Sequence, residues 1–400
     1  MNSTRTYLAA GACAFALVGA AYAAPAKKSA PPASTPPIAT YWMDVSTVSG
    51  FGMGMGGGRP SMAQMMGMMN GGGGSTSHTL YLRLASRTPA AGAPHADHLI
   101  PPGLGMGQSL PLVTPQRSAP ERGDMSYQQP RGRMLVYWGC GDHVSAGQPL
   151  TFDFAQLASG NVPENVRKMG EMMARRGVVG HSGPTSAPGY GEWPNREDGQ
   201  TVPPNGSLIG AHRVQGNYSP PIAFSLGGGQ DFMAPMRMSE AGGGLVRWGP
   251  VPAATGYALA MFGSSGNGDV IMWNSARSAS FAALDYLSPG DVARAIAAGN
   301  ALSPSTTECM IPAEVTRAVS AGMVMGIAYG PEVHFADAPR NPKWAVTVRY
   351  KSNATLMHGM GGMGGMGAGG DEGDDQNAED QQPKKKKRRG LGDLLGVPHP

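Results

Sequence analysis

Short runs in which apolar and polar residues alternate recur along this chain, and a period of two predicts strands. The clearest run is Thr79 to Leu84, with apolar residues at 80, 82 and 84. Tyr41 to Val48 has strand composition, and further strands are predicted at 109–113, 133–139, 150–154, 270–273, 323–329 and 344–350. Ala146-Gly147-Gln148-Pro149 reads as the turn between two of them. A helical pattern is rarer. Asn161 caps a predicted helix at 162–176, Glu164 completes its capping box, and Val166, Met169 and Met173 share one face. Ser288-Pro289-Gly290-Asp291 starts a second helix before Val292 to Ala298. Many short strands with Gly/Pro turns predict a mainly β chain: two β-sandwich-like domains with a few short helices.

Composition shifts divide the chain further. Residues 1–23 have the layout of a secretory signal: Arg5, an uncharged apolar stretch, then Ala21-Tyr22-Ala23 for cleavage. The stretch is about 15 residues, too short to span a bilayer stably. Residues 24–38 are a Pro/Ala/Ser linker. The N-terminal β-rich domain is placed at 39–179, with a Gly/Met-rich insertion at 52–74, and residues 180–206 are read as a linking loop. The second domain is placed at 207–352. From 353 to 400 a disordered tail is expected: Gly/Met first, then acidic, then basic. The mature chain is therefore expected in the periplasm or outside the cell, with no transmembrane segment.

Gly and Pro number 61 and 35 of 400 residues, and charged residues make only 14%. That balance fits turn-rich β domains joined by flexible tracts. The net charge of +4 implies no nucleic-acid partner. Cys13 leaves with the leader, so Cys140 and Cys309 form either one disulfide or two buried thiols.

The stretch Gly244 to Leu259 carries Trp248, then Pro250, Ala254 and Tyr257. It resembles the early strands of fibronectin type III-like (immunoglobulin-like) β-sandwich modules. There a strand carries a Trp, a Pro turn follows, and a Tyr opens the next strand. The resemblance implies a sandwich for 207–352 and implies no activity, since such folds host many.

Methionine, at 27 residues, stands out. Met357, Met360, Met363 and Met366 recur at every third position beside His358, and seven more crowd into 53–69. Thioethers are soft, neutral ligands suited to Cu(I) or Ag(I). These tracts resemble the Met-rich segments of bacterial periplasmic copper-resistance proteins, and the alternative reading as adaptable apolar surface stays open. His95-Ala96-Asp97-His98 is read as a solvated loop, and His143 beside Cys140 as part of a strand-end turn. Enzyme motifs fail on inspection: Pro184 breaks Gly180-His181-Ser182-Gly183, and Asn267 breaks Gly263-Ser264-Ser265-Gly266. No catalytic residue and no resident cofactor is predicted.

The basic run Lys384, Lys385, Lys386, Lys387, Arg388 and Arg389 suits an anionic surface, each charge contributing about 1 kcal/mol near a membrane. The expected function is a non-enzymatic exported envelope protein with a binding or scaffold role and a surface-associating tail. The alternative is a periplasmic Cu(I)/Ag(I) binder using the Met tracts.

Overall fold

A computed structural model describes residues 35–50, 76–115, 132–158, 164, 167, 183–279 and 285–358. The chain is mainly β. Its strands are β1 (Ala39–Gly50), β2 (Ser77–Ser86), β3 (Ala96–Leu99), β4 (Ser109–Pro111), β5 (Arg133–Trp138) and β6 (Leu150–Asp153). A five-residue helix follows, α1 (Phe154–Ala158). Then come β7 (Gly189–Trp193), β8 (Gly210–Gly216), β9 (Ile222–Leu226), β10 (Met238–Glu240), β11 (Leu245–Trp248), β12 (Gly256–Ser264) and β13 (Val270–Asn274). The last elements are α2 (Pro289–Ala297), β14 (Glu308–Met310), α3 (Ala313–Ala318), β15 (Ala321–Ala336) and β16 (Trp344–His358).

One nine-stranded sheet runs β6-β5-β13-β12-β15-β16-β1-β2-β7. Most neighbours are antiparallel, but β1 lies parallel to β16 and β5 parallel to β13. A four-stranded sheet, β4-β3-β8-β9, and a three-stranded sheet, β10-β11-β14, pack over one face. Side chains alternate between the faces of a strand. Tyr41, Met43 and Val45 of β1, Leu80, Leu82 and Leu84 of β2, and Val346, Val348 and Tyr350 of β16 point into the core so formed. Trp42, Asp44 and Ser46 of β1 point the other way, and this outer face carries the polar chemistry. In its middle α2 covers Ala258, Ile327 and Tyr329. The helix starts where the sequence predicts: the Ser288 hydroxyl accepts from the Asp291 N–H at 3.2 Å. Gly256 lets it approach, because a side chain there would meet Val292 at 2.8 Å.

The strand order differs from the expected division at 180–206. Strands from both sides of that boundary are neighbours within one sheet: β1 beside β16, and β5 beside β13. The boundary segment itself supplies β7, which pairs with β2 over Leu82–Ser86. The glycines that make it read as loop are packing residues. A side chain at Gly191 would meet the Tyr218 hydroxyl at 2.5 Å and the Leu112 carbonyl at 2.6 Å. The expected tail also starts too early at 353, because β16 runs on to His358 with Ser352, Ala354 and His358 buried. Polar Ser-Asn-Ala-Thr is stable there because β16 is hydrogen-bonded on both sides. Trp248 and Tyr257 sit on β11 and β12, in different sheets, with ring centroids 5.6 Å apart. The Tyr257 hydroxyl accepts the Val251 N–H at 2.9 Å across the intervening turn. The leader, the linker up to residue 34, the 52–74 insertion and residues 359–400 lie outside the described residues. So does the 162–176 helix apart from Glu164 and Arg167, both helical.

Cys140 and Cys309 form a disulfide that ties the loop after β5 to β14, joining the large sheet to the three-stranded one. The Gly141 N–H to Met310 carbonyl bond, 2.9 Å, lies alongside it. The bridge spans 169 residues. Replacing both cysteines by Ala is expected to cost about 2–5 kcal/mol of unfolding free energy, measured by urea titration. A double variant with an unchanged midpoint contradicts this.

Candidate functional site

The outer face of the nine-stranded sheet has two chemically distinct ends. At the β7 end the register sets Arg349 beside Asp44, and Trp42 beside Arg83. Asp44 accepts from both guanidiniums: from Arg83, and from Arg349 through Nε at 2.7 Å and the terminal nitrogen at 2.8 Å. All three residues are at most 6% exposed. The Arg349 guanidinium also lies 4.8 Å from the Trp42 ring centroid and 4.7 Å from that of Tyr286. Lys351 sits 4.0 Å from the Tyr286 ring and 3.1 Å from Asp285. At the sheet's edge Tyr81 and Tyr190 both donate to Glu192, at 3.1 and 2.8 Å. Burial, reinforced by the Glu192 charge, pushes the Tyr81 pKa up to about 12. Gly183 closes over Arg83 and Trp42, where a side chain would clash. Both oxygens of the Asp44 carboxylate are taken up by the two guanidiniums. The shared carboxylate fastens β1, β2 and β16 together.

A second buried polar chain crosses from the large sheet to the four-stranded one. The Leu208 carbonyl can only accept, so His212 Nε2–H donates to it at 2.7 Å. His212 Nδ1 then accepts from His98 Nε2–H at 3.0 Å, and His98 Nδ1 accepts the Tyr41 hydroxyl proton at 2.8 Å. Both imidazoles are neutral and 0% exposed. Burial holds the His98 pKa well below the ordinary imidazole value, and the adjacent His212 lowers it further. Burial also lowers His212, against the opposing pull of the Leu208 carbonyl. The loop expected at His95–His98 is therefore a strand. Ala96 and His98 alternate inward, whereas His95 stays exposed. His212 was not nominated from sequence; its signal is an inward phase shared with Val214 on β8.

The other end of the outer face is apolar. One row of cross-strand partners runs Leu150–Val136–Met272–Phe262–Met323–Met357 over six strands. Met134 and Met325 occupy the adjoining rows of the same face. Phe262 is 36% and Val270 42% exposed, two of three large apolar residues so exposed among those described. Scattered exposed apolar residues need no explanation, but contiguous ones mark contact surfaces.

The nominated metal ligands are partly visible. Met357 and His358 are neighbours on β16 and so point to opposite faces. His358 is on the inner face, hydrogen-bonded through Nδ1 to Glu240 at 2.9 Å. Met360, Met363 and Met366 lie outside the described residues, as do the basic residues Lys384 to Arg389. His143 pairs with Glu314 at 2.9 Å, and Cys140 is in the disulfide. Among the described residues no group of three His, Cys, Asp or Glu is placed to hold a metal ion. No described helix is long and apolar enough to cross a membrane. Neither family models, curated proteins nor solved structures match this chain.

Two outcomes follow from the buried networks. Asp44→Asn removes the charge between two buried guanidiniums and is expected to cost about 3–5 kcal/mol in chemical denaturation. A loss under 1 kcal/mol contradicts the clamp. Because the folded-state pKa values of His98 and His212 are depressed, the unfolded chain takes up protons that the folded chain refuses. Their contribution to stability is full above about pH 6.5 and is lost as pH falls. His78, also lowered by burial, adds to the same slope. Unfolding free energy measured from pH 7 to pH 5 should fall, and less steeply in His98→Leu/His212→Leu. Equal slopes refute the assignment.

Proposed function

We propose that this chain is a non-enzymatic exported protein with a binding or scaffold role. It engages a protein partner through the Met/Phe end of the outer sheet face, and its basic tail holds it to an anionic envelope surface. The observation that carries this reading is the position of Phe262 and Val270. They are exposed in adjoining rows of one face, Phe262 between Met272 and Met323 and Val270 beside Met134, and methionine is a flexible side chain suited to irregular partner surfaces. The Cys140–Cys309 bridge supports an oxidising compartment. The Asp44 and His98 networks support a structural rather than catalytic use, since the Asp44 carboxylate and the His98 and His212 rings are spent on internal bonds.

Affinity capture from cell envelopes is expected to recover a protein partner with the parent chain and to lose it with Phe262→Asp. Equal recovery by the variant removes this face from the reading. Deleting residues 359–400, beyond the end of β16, should release the protein from the envelope fraction without changing its thermal midpoint. A truncated protein that still sediments with envelopes removes the tether.

A further inference from the structure

Strand propensity makes the choice of residues on the outer face unusual. Strands favour Val, Ile and aromatic side chains over flexible ones. Core-facing Ile271, Val324, Val346 and Val348 fit that preference, while Gly322, Gly326, Ala328, Ser352 and Ala354 are small residues beneath the covering sheets. On the outer face the same strands carry Met272, Met323, Met325 and Met357. Three of these four methionines are direct or diagonal cross-strand neighbours, which apolar contact alone does not call for.

Met323 and Met357 are direct cross-strand partners in an unbroken register from Gly322/His358 to Tyr329/Lys351. Direct partners hold their Cβ atoms about 4.5–5.5 Å apart, and diagonal ones about 7–8 Å. Met325 lies two residues along β15 on the same face, diagonal to Met357. Each of the three side chains is part-buried, so its sulfur is shielded yet reachable. Three rotatable bonds let thioethers at these separations turn towards a common point. Their neighbours in the two rows are Phe262, Ala260 and Thr355, which carry no charge. Ala260 carries only a methyl group opposite Met325, and Phe262 is the direct partner of Met323.

We propose that Met323, Met325 and Met357 form a three-thioether cradle for a soft monovalent cation, Cu(I) or Ag(I). Neutral sulfur donors on an uncharged face disfavour Mg²⁺, Ca²⁺ and Zn²⁺, which take oxygen, nitrogen or thiolate ligands. No proton leaves a thioether on binding, so affinity is flat across pH 5–8, unlike a thiolate or imidazole site. The cradle stands independently of the partner-binding reading. Leu in place of Met keeps the apolar surface and removes only the sulfur.

The test uses Ag(I) as a redox-inert probe on the purified full chain, read by calorimetry and by methionine methyl NMR. One equivalent should bind and shift the methyl signals of Met323, Met325 and Met357. Met323→Leu/Met325→Leu/Met357→Leu should weaken binding by about tenfold or more, while Met360→Leu/Met363→Leu/Met366→Leu leaves this equivalent in place. Unmoved methyls at the three strand positions overturn the proposal, as does a strand variant of parental affinity or a parent that binds no Ag(I). The methyl shifts are read on the unsubstituted protein, so the proposal is decided even if the triple variant fails to fold. Envelope capture by that variant separates the two readings. Partner recovery with silver lost keeps the cradle; partner loss with silver retained overturns it.

Discussion

The pairing of β1 with β16 is the constraint on which the rest of the structure depends. Twelve residues of β1 lie parallel to a strand some 305 positions later, while its other edge holds β2. Without that seam the large sheet separates into β1-β2-β7 and the β16-to-β6 block. The inner face of both pieces would then lose the surface on which the smaller sheets pack. Backbone bonds alone tie these segments weakly against the entropy of closing so long a loop. Asp44 adds side-chain bonds to β2 and β16 at the middle of the seam. Excluding water strengthens these bonds and makes the loss of any one member costly.

The outer face shows how one sheet keeps two chemistries apart. At one end every charge is matched by a neighbour, and aromatic rings cover the guanidiniums. At the other the side chains are apolar and sulfur-bearing, and two of them stay in water. The helix α2 stands between, packed on Ala258 and Ile327. The His98–His212 chain does different work on the inner side, joining the large sheet to its four-stranded cover while both rings stay uncharged. The closed networks explain rigidity, and the open end is where contact with something else is available.

Much of the strand content was legible, because alternation is local and burial of one face enforces it. Leu80, Leu82 and Leu84 and the Ser288 cap are where period and capping chemistry place them. The partner of each strand was not legible. Nothing in Tyr41 to Val48 names Val346 to Asn353 as its neighbour, and the Trp248–Tyr257 stretch draws attention to a turn rather than to the seam. The β7 strand was hidden because Gly189 and Gly191 mimic a loop when their real role is to admit Tyr218. The polar cluster was hidden for another reason. Asp44, Arg83 and Arg349 fall off-phase in apolar alternations, which ordinarily means a solvated face. Only tertiary packing, with Tyr286 and Gly183 on top, turns that face inward. In the sequence His98 reads as loop beside polar His95 and Asp97, although its own phase is that of Ala96.

The seam also sets an order of events. A chain delivered from its N-terminus, by a ribosome or through a pore, presents β1 among the first folded residues and β16 among the last. Until Trp344 to Thr355 arrive, one edge of β1 has no neighbour and the sheet remains in two parts. Assembly is consequently a late, all-at-once step governed by a very distant contact, of the kind that folds slowly. The waiting edge is a ready template for the wrong strand during that interval.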